Sequence, residues 1–78
     1  MNKKGMRVIL LTSDKCPPCE GAKTALKQYI ERGEIEVLSI QESDEAADLA
    51  LKGKFTSTPQ LLVVSKTGEI FGQLAIEE

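Results

Sequence analysis

The chain has 78 residues, room for one domain spanning residues 1–78 and too little for a second. Ten basic and twelve acidic residues are interspersed for a net charge of −2, which excludes the basic stripe that nucleic-acid binding needs. The apolar run behind Lys3 and Lys4 stops at Thr12, short of the ~7–15 residues of a signal peptide's apolar region and of the ~20 of a membrane span, so a soluble, cytoplasmic protein is expected.

Arg7-Val-Ile-Leu-Leu-Thr12 is a continuous apolar run of branched residues, and its length between Gly5 and Ser13-Asp14 predicts a strand buried on both faces. Cys16 to Arg32 reads as one helix. Pro17 and Pro18 suit its first turn, where a missing amide proton costs nothing. Ala22, Ala25, Leu26, Tyr29 and Ile30 recur at three- and four-residue steps as its core face, and Gly33 ends it. Glu34 to Ile40 is a second strand carrying Ile35, Val37, Leu38 and Ile40. A helix then starts with Ser43 as cap and Asp44 and Glu45 in the first turn, and Gly53 closes it. Glu42, Asp44 and Glu45 are expected to be solvated. Gln60 to Val64 is a strand, Ser65-Lys-Thr-Gly68 a turn, and Glu69 to Gln73 the partner strand of a hairpin, with Phe55 and Phe71 as packing groups.

The order strand, helix, strand, helix, strand, strand predicts an α/β fold. A parallel strand–helix–strand opening and an antiparallel hairpin would share one mixed four-stranded sheet with helices packed on it.

The chain's two cysteines, Cys16 and Cys19, fall where the first strand hands over to the first helix. In a reducing compartment such a pair is reactive or metal-binding rather than structural. Unpaired N–H groups and the helix dipole stabilise negative charge at that position, which would lower the Cys16 pKa below the ~8.5 of a free thiol. Lys15 adds to this and Asp14 offsets it. Cys19, one turn into the helix, is expected to be shielded. The asymmetry predicts Cys16 as nucleophile and Cys19 as the resolving thiol of a dithiol exchange, with Pro17 and Pro18 holding the loop.

With Cys16-Pro-Pro-Cys19 after the first strand, Thr58-Pro59 before the third, and the closing hairpin, the chain resembles the glutaredoxin-like and thioredoxin-fold small redox proteins. The resemblance runs from about Arg7 to Gln73 and implies a cis Pro59 opposite the cysteines. It also implies that the Thr58 backbone pairs with an extended substrate segment. Lys15, Pro17 and Pro18 would complete that substrate surface. There are departures. Lys15 stands where thioredoxins carry Trp, Val8 to Leu11 holds no buried acid, and Gly72-Gln73 replaces the Gly-Gly and acid with which glutaredoxins hold glutathione. The C-terminal helix of both groups has no counterpart, so one sheet face would be open, or covered by a partner or a second copy.

The implied activity is reduction of disulfides in proteins or small molecules, with no cofactor beyond the Cys16–Cys19 pair. Glutathione or a reductase would be the electron donor, and the protein a monomer or weak dimer. Two other readings stand beside it. A dimer could pool its cysteines around a metal or an iron–sulfur cluster. Alternatively, the domain could be a non-catalytic binding module on the same fold. Lys52 and Lys54 are candidate carboxylate contacts, and Phe55 a candidate edge of the substrate groove.

Overall fold

Val8-Ile-Leu-Leu11 cannot hide its four side chains on one side of a strand, so the strand that contains it must be central and covered twice. The structure, a computed structural model, describes residues 6–55 and 57–74 and shows this arrangement. Strand β1 (Met6–Thr12) pairs in parallel with β2 (Ile35–Ser39) and antiparallel with β3 (Gln60–Ser65), which pairs antiparallel with β4 (Ile70–Leu74). The sheet order is β2-β1-β3-β4, the mixed four-stranded sheet expected. Ile9, Leu10 and Leu11 are fully buried.

Alternation along the strands divides the core in two. Ile9, Leu11, Leu62 and Val64 point to one face and pack on Ala46 and Leu49 of α3 (Asp44–Gly53). Leu10, Ile35 and Leu61 point to the other, where Ala22 of α1 (Pro17–Ala25) and Leu26 and Ile30 of the next segment cover them. Arg7 shares the α3 face with Ile9. It reaches Glu36 of β2 (2.8 and 2.6 Å) and Glu45 of α3 (2.6 and 3.2 Å), tying three elements together. Glu45, expected to be solvated, is exposed and is an ion-pair partner as well.

The helix read from Cys16 to Arg32 is two: α1 ends at Ala25, and α2 (Lys27–Glu31) follows after Leu26 leaves helical geometry (φ −104°, ψ 15°). Hydrogen bonds from Leu26 N–H to Ala22 (3.0 Å) and from Ile30 N–H to Leu26 (3.0 Å) bridge the break, so Ala22, Leu26 and Ile30 stay aligned on the sheet. The apolar face is narrower than its periodicity suggested. Ala25 is exposed, and Tyr29, expected in the core, is 44% exposed with the Arg32 guanidinium 5.9 Å from its ring centroid.

Gly33, at φ +79°, ends α2 with a backbone bond from Glu34 N–H to Tyr29 O (2.9 Å). At the end of α3 the left-handed residue is Lys54 (φ 57°), not Gly53. Gly53 is small for a different reason: a Cβ there would overlap the Phe55 ring, which packs on the α3-side core. Ser43 caps α3 as expected, accepting from Ala46 N–H (3.2 Å).

The hairpin contains a bulge absent from the sequence reading. Val64 pairs with Ile70 but Val63 with Gly72, leaving Phe71 as the extra residue. The bulge turns Ile70 toward the α3 side and Leu74 to the opposite face, across from Leu61. Phe71, expected to pack, is 61% exposed. β4 is the last element among the described residues; it includes Leu74, and residues 75–78 lie outside them. On the α1 side, Val8, Leu26, Tyr29, Ile35, Leu61 and Leu74 line an open groove.

Candidate active site

The loop between β1 and α1 places Cys16 at the N-cap of the helix, with Pro17 and Pro18 as its first two residues. Prolines carry no N–H, so neither of the first two helical positions can donate to the cap. Cys19 can, and its N–H donates both to the Cys16 carbonyl (3.0 Å) and to Cys16 Sγ (3.1 Å). The sulfur therefore takes the place of the hydroxyl or carboxylate oxygen that usually caps a helix. Cys19 faces inward at 1% exposure while Cys16 stays half-buried, and the two are joined by a disulfide of 2.11 Å.

A second loop closes over the sulfur from the start of β3. The Thr58–Pro59 peptide bond is cis, as the resemblance implied. Thr58 Oγ1 lies 3.4 Å from Cys16 Sγ and the Thr58 carbonyl oxygen 3.8 Å from it. Thr58 Oγ1 is also hydrogen-bonded to Ser13 Oγ at 2.7 Å. Between Ser13 and the cysteine, Asp14 N–H donates to Gln41 Oε1 (2.9 Å), and Lys15 adopts a left-handed conformation (φ 54°) with its side chain exposed.

Tertiary structure thus brings together Cys16, Cys19 and Thr58, with Pro59 adjoining and Lys15, Pro17 and Pro18 on the solvent side. Lys52 is directed elsewhere, to Gly68 O (3.3 Å) and Asp48 (3.4 Å). Phe55 lies with Ser13, Ile40, Gln41, Ser57 and Thr58 around a pocket beside the site. Ser13 is the site residue the sequence reading missed. Its only local signal was its place directly after the first strand, which marks a strand end equally well.

The electrostatics are sparse. The buried polar side chains among the described residues are Thr12 and Ser65, so no buried carboxylate stands beside Cys19. Arg7, whose pKa is raised by its hydrogen bonds to Glu36 and Glu45, sits at the opposite end of β1. Among the described residues no three potential metal ligands cluster, and no helix is long and apolar enough to cross a membrane.

No protein-family model matches the sequence, and no curated protein matches it either. Solved structures do. Thioredoxin from Wuchereria bancrofti superposes with a TM-score of 0.64 at 18% identity, over 90% of this chain and 67% of that one. Mitochondrial thioredoxin 3 from Saccharomyces cerevisiae, in its oxidised form, gives 0.59 at 21%, over 94% and 68%. The chain has the thioredoxin fold. A shorter thioredoxin-like protein matches over 91% of this chain and 88% of its own, with a TM-score of 0.60 at 21% identity. The chain thus spans about two thirds of those thioredoxins' length and most of the shorter protein's, and carries a Cys-x-x-Cys disulfide at the head of its first helix.

Proposed function

We propose that this thioredoxin-fold domain is a thiol–disulfide oxidoreductase that reduces disulfides by dithiol exchange. One observation carries the reading. A half-exposed sulfur caps a helix, is joined to a buried partner one turn on, and faces the loop before a cis proline. That geometry makes one cysteine accessible and the other able to reach only its neighbour.

In the reduced chain the Cys16 thiolate attacks a substrate disulfide, forming a mixed disulfide and releasing the first substrate sulfur as thiolate. Cys19, deprotonated, then attacks Cys16 Sγ and displaces the second. The substrate gains two electrons and the pair is left as the disulfide, to be returned to the dithiol by glutathione or a reductase. In this reading the Thr58 backbone, 3.8 Å from Cys16 Sγ at its carbonyl oxygen, pairs with an extended segment flanking the substrate cystine, with Lys15, Pro17, Pro18 and Pro59 around it. Protein disulfides are the favoured substrates and the cytoplasm the favoured setting, where the domain acts as a reductant without a further cofactor, as a monomer or weak dimer.

The test is the redox equilibrium of the pair against graded glutathione, read by alkylation and mass spectrometry. A reversible two-electron transition is expected toward the reducing end, roughly −270 mV. Cys16→Ser should abolish disulfide reduction, and Cys19→Ser should accumulate mixed disulfides. An active Cys16→Ser variant, or no intramolecular disulfide at any poise, would defeat the proposal.

A further inference from the structure

Thr58 has one hydroxyl proton and two neighbours that could take it. Its Oγ1 lies 2.7 Å from Ser13 Oγ and 3.4 Å from Cys16 Sγ, and a hydroxyl donates to only one acceptor at a time. Either hydroxyl can be the donor between Ser13 and Thr58, and the direction of that bond follows from where charge sits. When Cys16 is a thiol or part of a disulfide, the Thr58 proton can lie on Ser13. When Cys16 is a thiolate, a charge-assisted bond from Thr58 to the sulfur is stronger, and Ser13 then donates to the vacated Thr58 lone pair.

We propose that Ser13 is a positioning residue that aims the Thr58 hydroxyl at Cys16 Sγ, so that a side chain outside the cysteine motif sets how much of Cys16 is thiolate. The proposal rests on Cys16 being the attacking sulfur, as argued above. Two features of the site give Ser13 that influence. Pro17 and Pro18 remove the two nearest backbone donors, leaving the Cys19 N–H at 3.1 Å, so a second donor matters more than it would at an ordinary helix start. Ser13 is also held on both sides, by β1 ending at Thr12 and by the bond from Asp14 N–H to Gln41, so its hydroxyl is presented in one place. Ser13, Cys16 and Thr58 are all half-buried, and partial removal of water strengthens the chain of bonds.

A purely structural role would make the Ser13–Thr58 bond a tie between two loops, affecting stability but not ionisation. The two roles separate in the pH profile of Cys16 alkylation by iodoacetamide in the fully reduced chain, with the modified residue located by peptide mass. A hydrogen bond to a charged group is worth about a factor of ten in ionisation, so Thr58→Val should move the midpoint of the profile about one pH unit higher and slow alkylation at pH 7 about threefold. Ser13→Ala removes only the orienting partner and should move the midpoint about half a pH unit higher. Because Ser13 acts through Thr58, the double variant should match Thr58→Val alone. Ser13→Thr and Thr58→Ser, which keep the hydroxyls, should restore the original profile. An unmoved Ser13→Ala profile, or additive effects in the double variant, overturns the proposal. If Ser13→Ala does not fold, an unmoved Thr58→Val profile overturns it as well. No disulfide substrate or electron donor enters the measurement, so its outcome stands apart from that of the Cys16→Ser and Cys19→Ser tests.

Discussion

Replacing Pro18 by alanine restores a backbone N–H at the second helical position, one of the two whose amides an N-cap side chain accepts from. In the native chain Cys16 Sγ accepts from the other, the Cys19 N–H at 3.1 Å. The new bond would act mainly on the reduced form. A hydrogen bond to a charged acceptor contributes about 1.5–3 kcal/mol, which the half-exposed position of Cys16 lowers to about 1 kcal/mol. In the disulfide the same N–H meets a neutral sulfur and adds little. Since about 1.4 kcal/mol corresponds to 30 mV for a two-electron couple, the thiolate gain raises the potential by about 20 mV.

Loss of the ring acts in the same direction. Proline holds the loop ready for ring closure, and alanine gives back about 0.4–1 kcal/mol of freedom, another 10–20 mV or so. The Pro18→Ala pair should therefore be about 30–40 mV less negative than the native one. Pro17→Ala frees an amide one position earlier, which an N-cap side chain does not normally engage, and should show only the smaller rigidity part. Both prolines are exposed, so neither change disturbs the core. Equilibration with a glutathione or dithiothreitol buffer, followed by alkylation and mass spectrometry, measures each potential. A Pro18→Ala value equal to or more negative than the native one would refute the reasoning. Equal shifts for the two variants would refute the hydrogen-bond part alone.

Two further expectations concern stability. Arg7→Ala removes the clamp between β1, β2 and α3; its three side chains are 29–43% exposed, so the loss should be about 1–2 kcal/mol in urea unfolding, with the redox potential unchanged. Arg7→Lys should recover little of it, because an ammonium cannot bind two carboxylates side by side. The Arg7 pKa is raised, mostly by its bond to Glu36, so its contribution is complete below the unfolded value and is lost only as pH rises through the higher folded one. No arginine-linked loss of stability should therefore appear up to about pH 11. Gly53→Ala places a Cβ in the Phe55 ring and should cost about 1–2 kcal/mol net, the overlap outweighing alanine's better helix propensity. An unchanged or higher melting temperature would mean that Phe55 moves aside freely.

How far the fold could be read in advance depended on whether the signal was local. β1 was recognisable because its apolar run fills both faces, and α3 because Ser43 and two acids mark its first turn. The hairpin was marked by Ser65 to Gly68, with Gly68 at φ +97°. The elements that were misjudged depend on neighbours distant in the chain. Tyr29 and Phe71 are apolar at positions that pattern alone assigns to the core, yet no described element covers either. The residue after α3 that turns left-handed is Lys54, while Gly53 is small because a Cβ there would meet Phe55, a contact that a glycine's reputation as a helix stop conceals.

The site divides along the same line. By itself, the sequence determined that two cysteines one helical turn apart would lie at the head of a helix after a buried strand, and that two prolines between them would fix the turn. These are consequences of backbone dihedrals and missing amide protons, which act over three or four residues. Only the tertiary structure decided what faces Cys16. Ser13 and Thr58 lie 45 positions apart and meet because β1 and β3 are adjacent in the sheet with the register Leu11 to Gln60, which brings the end of one strand beside the start of the other. A hydrogen bond across that separation has no local signature. It exists because pairing the strands satisfies their backbone groups and buries Leu10 and Leu62, and the loops at their ends are carried into contact.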